Sequence, residues 1–400
     1  MNIFMLLYLK YPDIRVEKEV KSLLKRGYNI TILASNDGTQ NEITVDGNLT
    51  IYRPRELSYS FIWTGIHYFW GSIDFVDKWV LNKCRHYFSD KKFDVIHVHD
   101  LRLVKVGVLL GKEFNMKIVA DLHENYPAAI KSYTEDNSLK SIIRRNTIDR
   151  YERWIAYEKE ILQQVDAVIG VVDEAKDRIV RDCKIDSSKV YVVSNTESVN
   201  DFVAMPVDHS IVERYKDKFA ISYIGGVDYH RGLDTVIRAM PKLVEHNPKV
   251  VFLIAGGKND DYEKSLKMLA AEYGVDKNTL FLGRIPFSQV PSYIAASKMG
   301  VIPQVASEHG NYTVPHKLFQ YMISGRSVIV SDCYPLMRIV NEFDCGLVFR
   351  AGDSDSLAEC VDRMNEAEAM GHNALRAVKD KYNWEQDELR LFDLYNNILK

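Results

Sequence analysis

Two periods of apolar and polar positions alternate along the chain. Short apolar runs at 3–8, 29–34, 94–98, 117–121, 165–172 and 190–193 have the length and make-up of buried strands. Between the first two, Val16, Val20, Leu23 and Leu24 recur at helical spacing and Gly27 follows, which predicts an amphipathic helix over 13–26. Residues 59–88 read as one long helical region crowded with Tyr59, Phe61, Trp63, Tyr68, Phe69, Trp70, Phe75 and Trp79, most of them expected in the core. Residues 139–162 read as a second long helical stretch, with Lys140, Arg144, Arg145, Arg150 and Arg153 among its apolar positions. After a polar stretch at 200–217, six strands are expected at 219–225, 250–255, 279–282, 299–302, 327–330 and 346–349, with helical patterns between them. Helices from Ser354 and Asn373 follow, and 384–399 forms the last. Such alternation predicts an α/β chain with doubly wound parallel sheets. The expected division is a first lobe at 1–200, a linker at 201–217, a second lobe at 218–380 and a closing helix at 381–400.

Four hundred residues, 46% of them hydrophobic, suffice for two or three domains with full cores. A net charge of −3 argues against a general nucleic-acid binder. Cys84, Cys183, Cys333, Cys345 and Cys360 form no CxxC pair and are odd in number, which fits free thiols in a reducing compartment. Residues 1–8 are too short to span a membrane and lack a basic start, so they read as a strand, not a signal peptide. The expected location is cytoplasmic.

Two segments carry candidate chemistry. In 313–325, Pro315 sits where a helix would begin, Gly325 where it would stop, and Lys317 lies in its first turn. A helix amino terminus offers unpaired N–H groups and partial positive charge, so it suits a phosphate. An ordinary crossover helix with a solvated lysine fits this segment equally well. The second segment is a strand ending in Gly225 and Gly226, then His230, Arg231 and Gly232, then a helical pattern through Ala239. Both turns would lie at the carboxyl edge of one parallel sheet, where open α/β folds bind ligands. Two cation-bearing turns there make a stronger case than one. In the first half, His99 and His123 fall at or just past strand ends, where a reacting group belongs; a turn histidine bonding backbone is the plainer alternative. The 10–15 loop has no glycine, and its Arg15 either faces a phosphate or lies on a helix surface.

In order along the chain stand PDIRVEKE at 12–19, HVHD at 97–100, DLHE at 121–124, Gly225 with Arg231 and Gly232, VPHKLFQYM at 314–322 with Gly325, and DCGLV at 344–348 with Asp353. This set resembles the family-4, or group 1, retaining glycosyltransferases of the GT-B fold. The resemblance implies two Rossmann-like lobes facing a central cleft, with the closing helix crossing back onto the first. It implies a hexosyltransferase-type enzyme moving a sugar, with retention, from a UDP- or GDP-sugar to a saccharide or lipid-linked saccharide, in cell-surface polysaccharide synthesis. The donor is a substrate; no cofactor and no metal are expected, because no Asp-x-Asp motif stands at a plausible site. Gly225, Gly226, Arg231, Arg284, Ile285, Val314, Pro315, Lys317 and Gln320 are the implied donor-binding residues. His123, Arg231 and Lys317 carry catalysis: His123 at the sugar, the two cations on the growing diphosphate charge.

The sequence departs from the family at three places. Gly226 stands where many members have a phosphate-binding arginine. Gln320 replaces the second of two glutamates, the one that holds the ribose. Tyr312 falls at the spacing of the first, with Glu308 nearby. These changes allow altered donor choice, or a non-catalytic or partner-dependent subunit; a nucleotide-sugar epimerase on a similar scaffold is another rival. A phosphorylase would need a marked pyridoxal-phosphate lysine, and an NAD-dependent dehydrogenase a GxGxxG after the first strand. The aromatic 59–79 and basic 139–153 stretches suggest peripheral contact with an anionic membrane, the inner face of the plasma membrane.

Overall fold

The structure, a computed structural model, describes residues 1–36, 38–54, 71, 73–133, 139–363 and 367–400. The chain forms two compact units, Met1–Ser194 with Asp387–Lys400, and Asn195–Gln386.

The first unit holds an eight-stranded sheet among the described residues. Its strands are β1 (Asn2–Lys10), β2 (Asn29–Ser35), β3 (Ile43–Asp46), β4 (Leu49–Tyr52), β5 (Val95–His99), β6 (Lys117–Leu122), β7 (Ala167–Gly170) and β8 (Val190–Val192). They lie in the order β3-β4-β2-β1-β5-β6-β7-β8. Neighbours are parallel except for the β3–β4 hairpin. That hairpin escaped the sequence pattern because β3 is short and mostly exposed, so it carries no apolar run. The helix Ile14–Lys25 starts where the Asp13 carboxylate accepts the N–H groups of Arg15 and Val16 at 3.0 and 3.2 Å. It buries Val16, Val20 and Leu23 as expected, and also Arg15 and Glu19.

Two expectations for this unit change. Of the helical region at 59–88, the structure describes Lys78–Phe88 as a helix, and Tyr59, Phe61, Trp63, Tyr68, Phe69 and Trp70 lie outside the described residues. Phe75 stacks on Tyr157 with ring centroids 4.0 Å apart, a packing role. The stretch at 139–162 is not one helix but two, Leu139–Asn146 and Tyr151–Ile161. The Asn146 amide and Thr147 hydroxyl donate back to the carbonyls of Ile142 and Ile143, both at 2.7 Å, and Arg144 reaches the buried Asp149 at 2.6 Å. Short polar side chains that bond nearby backbone favour a helix end over its continuation.

The second unit holds a six-stranded, fully parallel sheet: β9 (Phe219–Ile224), β10 (Val250–Ala255), β11 (Thr279–Gly283), β12 (Met299–Ile302), β13 (Ser327–Ser331) and β14 (Gly346–Phe349). Every predicted strand is present within a residue of its expected ends. The order is β11-β10-β9-β12-β13-β14, so strand progression reverses between β9 and β12. A reversal of this kind opens a crevice at the carboxyl ends of the two central strands. Residues 201–217 belong to this unit and contain the short helix His209–Arg214 and the end of Val199–Val203. The last helix, Trp384–Ile398, begins here and continues into the first unit, where Leu391, Leu394 and Tyr395 are fully buried. All five cysteines are buried free thiols. Among the described residues no helix is long and apolar enough to cross a membrane.

Candidate active site

In the second unit, the turns after β9 and β12 meet beside the crevice. Gly232 sits at φ +66°, and a Cβ there would lie 2.0 Å from the Pro303 carbonyl oxygen just past β12. Only glycine allows that approach, and it fixes the turn that presents Arg231. Arg231 closes the short 3₁₀ turn Tyr229–Arg231; its Nε is buried without a hydrogen-bond partner among the described residues. Lys317 lies in the first turn of the helix His316–Ile323, 7% exposed, with Nζ 3.5 Å from the centroid of the Tyr223 ring. No carboxylate among the described residues lies within ion-pair distance of it. Burial first, then the Arg231 charge, holds the Lys317 amine well below its ordinary range, against the pull of Asp228. His230 and His309 stand alongside, their rings 5.8 Å apart. Burial and the neighbouring cations push His230 down to about 4, and burial with His230 and Arg231 pushes His309 to about 3. A guanidinium, with an amine and two imidazoles whose protonation an anion would favour, makes a place prepared for an anion.

The other expected donor residues distribute unevenly. Gly225 follows β9 at φ +141°, and a Cβ on it would stand 2.6 Å from Lys317 Nζ. The Gly226 carbonyl accepts from the Tyr223 hydroxyl at 2.6 Å. Val314 is fully buried, its carbonyl accepting from the Asn195 amide at 3.0 Å, and Pro315 is the residue before the helix. Gln320 is buried, and its amide donates to Glu197 at 2.9 Å; His316 lies 3.6 Å from the same carboxylate. Arg284 is exposed and Ile285 half-buried in the turn after the edge strand β11. The sequence reading missed Tyr223, His309 and Glu197; the last could have been suspected from the glutamate missing at Gln320.

In the first unit, strand alternation builds a second cluster. β5 and β6 pair with His99 opposite Asp121, so His97, His99 and Asp121 project to one face. His123 follows just past the strand. Its Nε2 lies 3.2 Å from Asp121 Oδ2 and 3.2 Å from His99 Nδ1, and its Nδ1 lies 3.5 Å from Asp100. Asp100 itself is held at φ +68°, an uncommon backbone region for a residue other than glycine and one often found at functional sites. Arg15 donates to Asp121 Oδ1 at 2.9 Å and to the Val193 carbonyl at 3.0 Å, and its Nε is 3.2 Å from Glu19. Arg15 is therefore neither a phosphate ligand nor a surface arginine: it is 3% exposed and spent inside the protein. Tyr395 of the last helix meets His97 Nδ1 at 2.7 Å. Glu19, His97, His99 and Asp121 bring polar atoms within 4.8 Å of one another, and the cation they meet is the Arg15 side chain. The guanidinium of Arg15 already supplies a positive charge to both carboxylates.

The charges here follow from position. Burial alone would raise Asp121, but Arg15 and His123 overcome it and hold the carboxylate well below its usual range. Burial would lower His123, but Asp100 and Asp121 outweigh it and carry the imidazole up to about 9. Burial, helped by Asp121, raises Glu19 to about 8. Both raised groups bind protons more tightly when folded, so their stabilisation is complete at low pH and is lost as pH climbs through the folded values. For His123 the window runs from its ordinary 6.5 to about 9. Stability is expected to fall across that window, by ~2–3 kcal/mol from His123. Thermal unfolding of wild type and His123→Gln from pH 6 to 9 checks this; equal slopes would remove the assignment.

Comparison with known proteins covers both units. The family described as Glycosyltransferase Family 4 matches residues 15–196, and that described as Glycosyl transferases group 1 matches residues 205–381. An uncharacterized glycosyltransferase of Methanocaldococcus jannaschii is 24% identical over 388 residues, 94% of this chain and 91% of that protein. Sucrose-phosphate synthase from Thermosynechococcus elongatus superimposes with a TM-score of 0.79 at 17% identity, over 100% of this chain and 99% of that one. Anabaena HepE in complex with UDP-glucose gives a TM-score of 0.69 at 13% identity, over 99% of this chain and 100% of that one. The two α/β units are those of the GT-B fold. Two family matches in register with the two units leave one assignment: the chain belongs to the family-4, group 1 glycosyltransferases.

Proposed function

We propose that this glycosyltransferase takes its sugar from a UDP- or GDP-linked donor bound in the second unit. The observation that carries the reading is Lys317: a buried amine with no carboxylate within ion-pair distance among the described residues, beside Arg231, at the carboxyl edge of a parallel sheet. Burying such a group is costly unless an anion meets it. A diphosphate between Arg231, Lys317 and the amino ends of Leu233–His246 and His316–Ile323 supplies that anion. The ribose meets the Gln320–Glu197 pair, where the carboxylate comes from Glu197, and the base meets Arg284 and Ile285. As the sugar–phosphate bond breaks, the two cations stabilise the departing diphosphate, and His123 acts on the sugar. Transfer proceeds with retention and without a metal. A thermal-shift panel of UDP-, GDP- and ADP-sugars, followed by donor hydrolysis, tests the reading. A matched donor at a hundred times its Kd adds about 2.7 kcal/mol of stability. No shift with any nucleotide sugar would sink it.

The acceptor is a saccharide or lipid-linked saccharide, in cell-surface polysaccharide synthesis at the inner face of the plasma membrane. Support comes from the helix Leu139–Asn146, where Leu139 and Ile143, one turn apart, are 74% and 55% exposed beside Arg144 and Arg145. Exposed apolar residues next to cations suit an anionic bilayer. The protein is expected to float with anionic vesicles at low salt, and Leu139→Ser with Ile143→Ser to release it. Arg144 is a poor probe because it holds Asp149. Wild-type binding by the double variant would refute the contact.

A further inference from the structure

The side chains around His123 form a line that starts in the interior. Arg15 grips Asp121 with Nη2 at 2.9 Å from Oδ1 and Nε at 3.4 Å from Oδ2, and Oδ2 in turn lies 3.2 Å from His123 Nε2. Arg15 and Asp121 are buried, whereas the His123 side chain is 24% exposed, so the line ends at the accessible ring. The Val193 carbonyl, accepting Nη1 at 3.0 Å, pins the other side of the guanidinium. We propose that Arg15 is a positioning residue for His123, acting through Asp121. A planar fork fixes both carboxylate oxygens at once, which a single ammonium cannot do, and a fixed carboxylate sets the tilt of the ring it holds. A buried ion pair is weak evidence of a purely stabilising role, since apolar pairs of equal volume often serve as well. A pair aimed at an accessible histidine has a second use.

The line also sets the charge on the ring. Around the line stand Glu19, 3.2 Å from Arg15; His97 and His99, 3.6 and 3.2 Å from Asp121; Asp100, 3.5 Å from His123; and, on the last helix, Asp387, whose charge acts on Arg15, and Tyr395, on which the charge of Asp121 acts. Asp100 and Asp121 favour the imidazolium, and Arg15 competes with it for Asp121. Removing the guanidinium must then raise the proton affinity of His123.

Histidine-labelled NMR titration reads this without any substrate. The His123 signal, identified by its loss in His123→Gln, should titrate at about 9 in the wild type. In Arg15→Gln the midpoint should rise by ~0.5–1 unit. An unchanged midpoint overturns the proposal. If Arg15→Gln does not fold, Arg15→Lys keeps the charge and gives up the fork. It should hold the midpoint but lower kcat for donor turnover ~10–100-fold at unchanged KM. Wild-type kcat in Arg15→Lys overturns the proposal as well. The turnover arm rests on the reading of His123 as the group at the reacting sugar, and the titration arm does not. A shifted midpoint in a protein that turns over no nucleotide sugar therefore upholds the network and counts against that reading.

Discussion

His123→Ala is expected to lower kcat by ~10²–10⁴-fold and to leave nucleotide-sugar affinity within about twofold. The two halves of the prediction come from separate residues. The groups assigned to the diphosphate are Arg231 and Lys317 in the second unit, whereas His123 projects from the sheet of the first. Its Nε2 faces Asp121 and its Nδ1 faces Asp100, an arrangement that suits a protonated ring donating to two carboxylates. A ring held at about 9 works near neutrality as a cation and hydrogen-bond donor, not as a general base. The rate should accordingly persist through neutral pH and fall only as the ring deprotonates toward pH 9. Initial rates across pH 6–10 for wild type, with calorimetric nucleotide binding for wild type and His123→Ala, check both points. A variant with wild-type kcat removes His123 from the chemistry, and a rate that climbs as the ring loses its proton reverses its role.

The second unit was the more legible in sequence. Parallel strands covered on both faces are continuous apolar runs, and β9 to β14 each show one, bounded by helical patterns. The first unit was harder because its edge is a short, exposed hairpin, and because Asn146 and Thr147 end a helix by bonds that no periodicity displays. The placement of Arg231 and Lys317 at their two turns could be read because a glycine turn and a proline at a helix start are local signals. Arg15 could not be read: its neighbours in sequence mark a helix, and its partners Asp121 and Val193 lie more than a hundred residues away. The alternation of His97 and His99 inside an otherwise apolar strand was the available signal of a buried polar cluster, since such positions are costly unless paired.

Replacing Arg231 or Lys317 by alanine should weaken nucleotide binding by ~1.5–3 kcal/mol each, the range for a hydrogen bond to a charged group. Lys317 is the sharper case. Without ligand, burial and Arg231 disfavour its ammonium form, and a diphosphate beside it reverses that balance. Binding should then draw a proton from solvent, so the observed calorimetric enthalpy should change with the ionisation enthalpy of the buffer. That dependence should vanish in Lys317→Ala and survive in Arg231→Ala. Gly225 supplies an independent check, because a methyl group there would stand 2.6 Å from Lys317 Nζ. Gly225→Ala must displace the amine or strain a backbone held at φ +141°, and should lose affinity in the same direction as Lys317→Ala. Because both changes act on one amine, the double variant should lose little more than Lys317→Ala alone. Fully additive losses would mean that Gly225 acts through something other than Lys317. Unchanged nucleotide affinity in both Arg231→Ala and Lys317→Ala would move the diphosphate out of this crevice altogether.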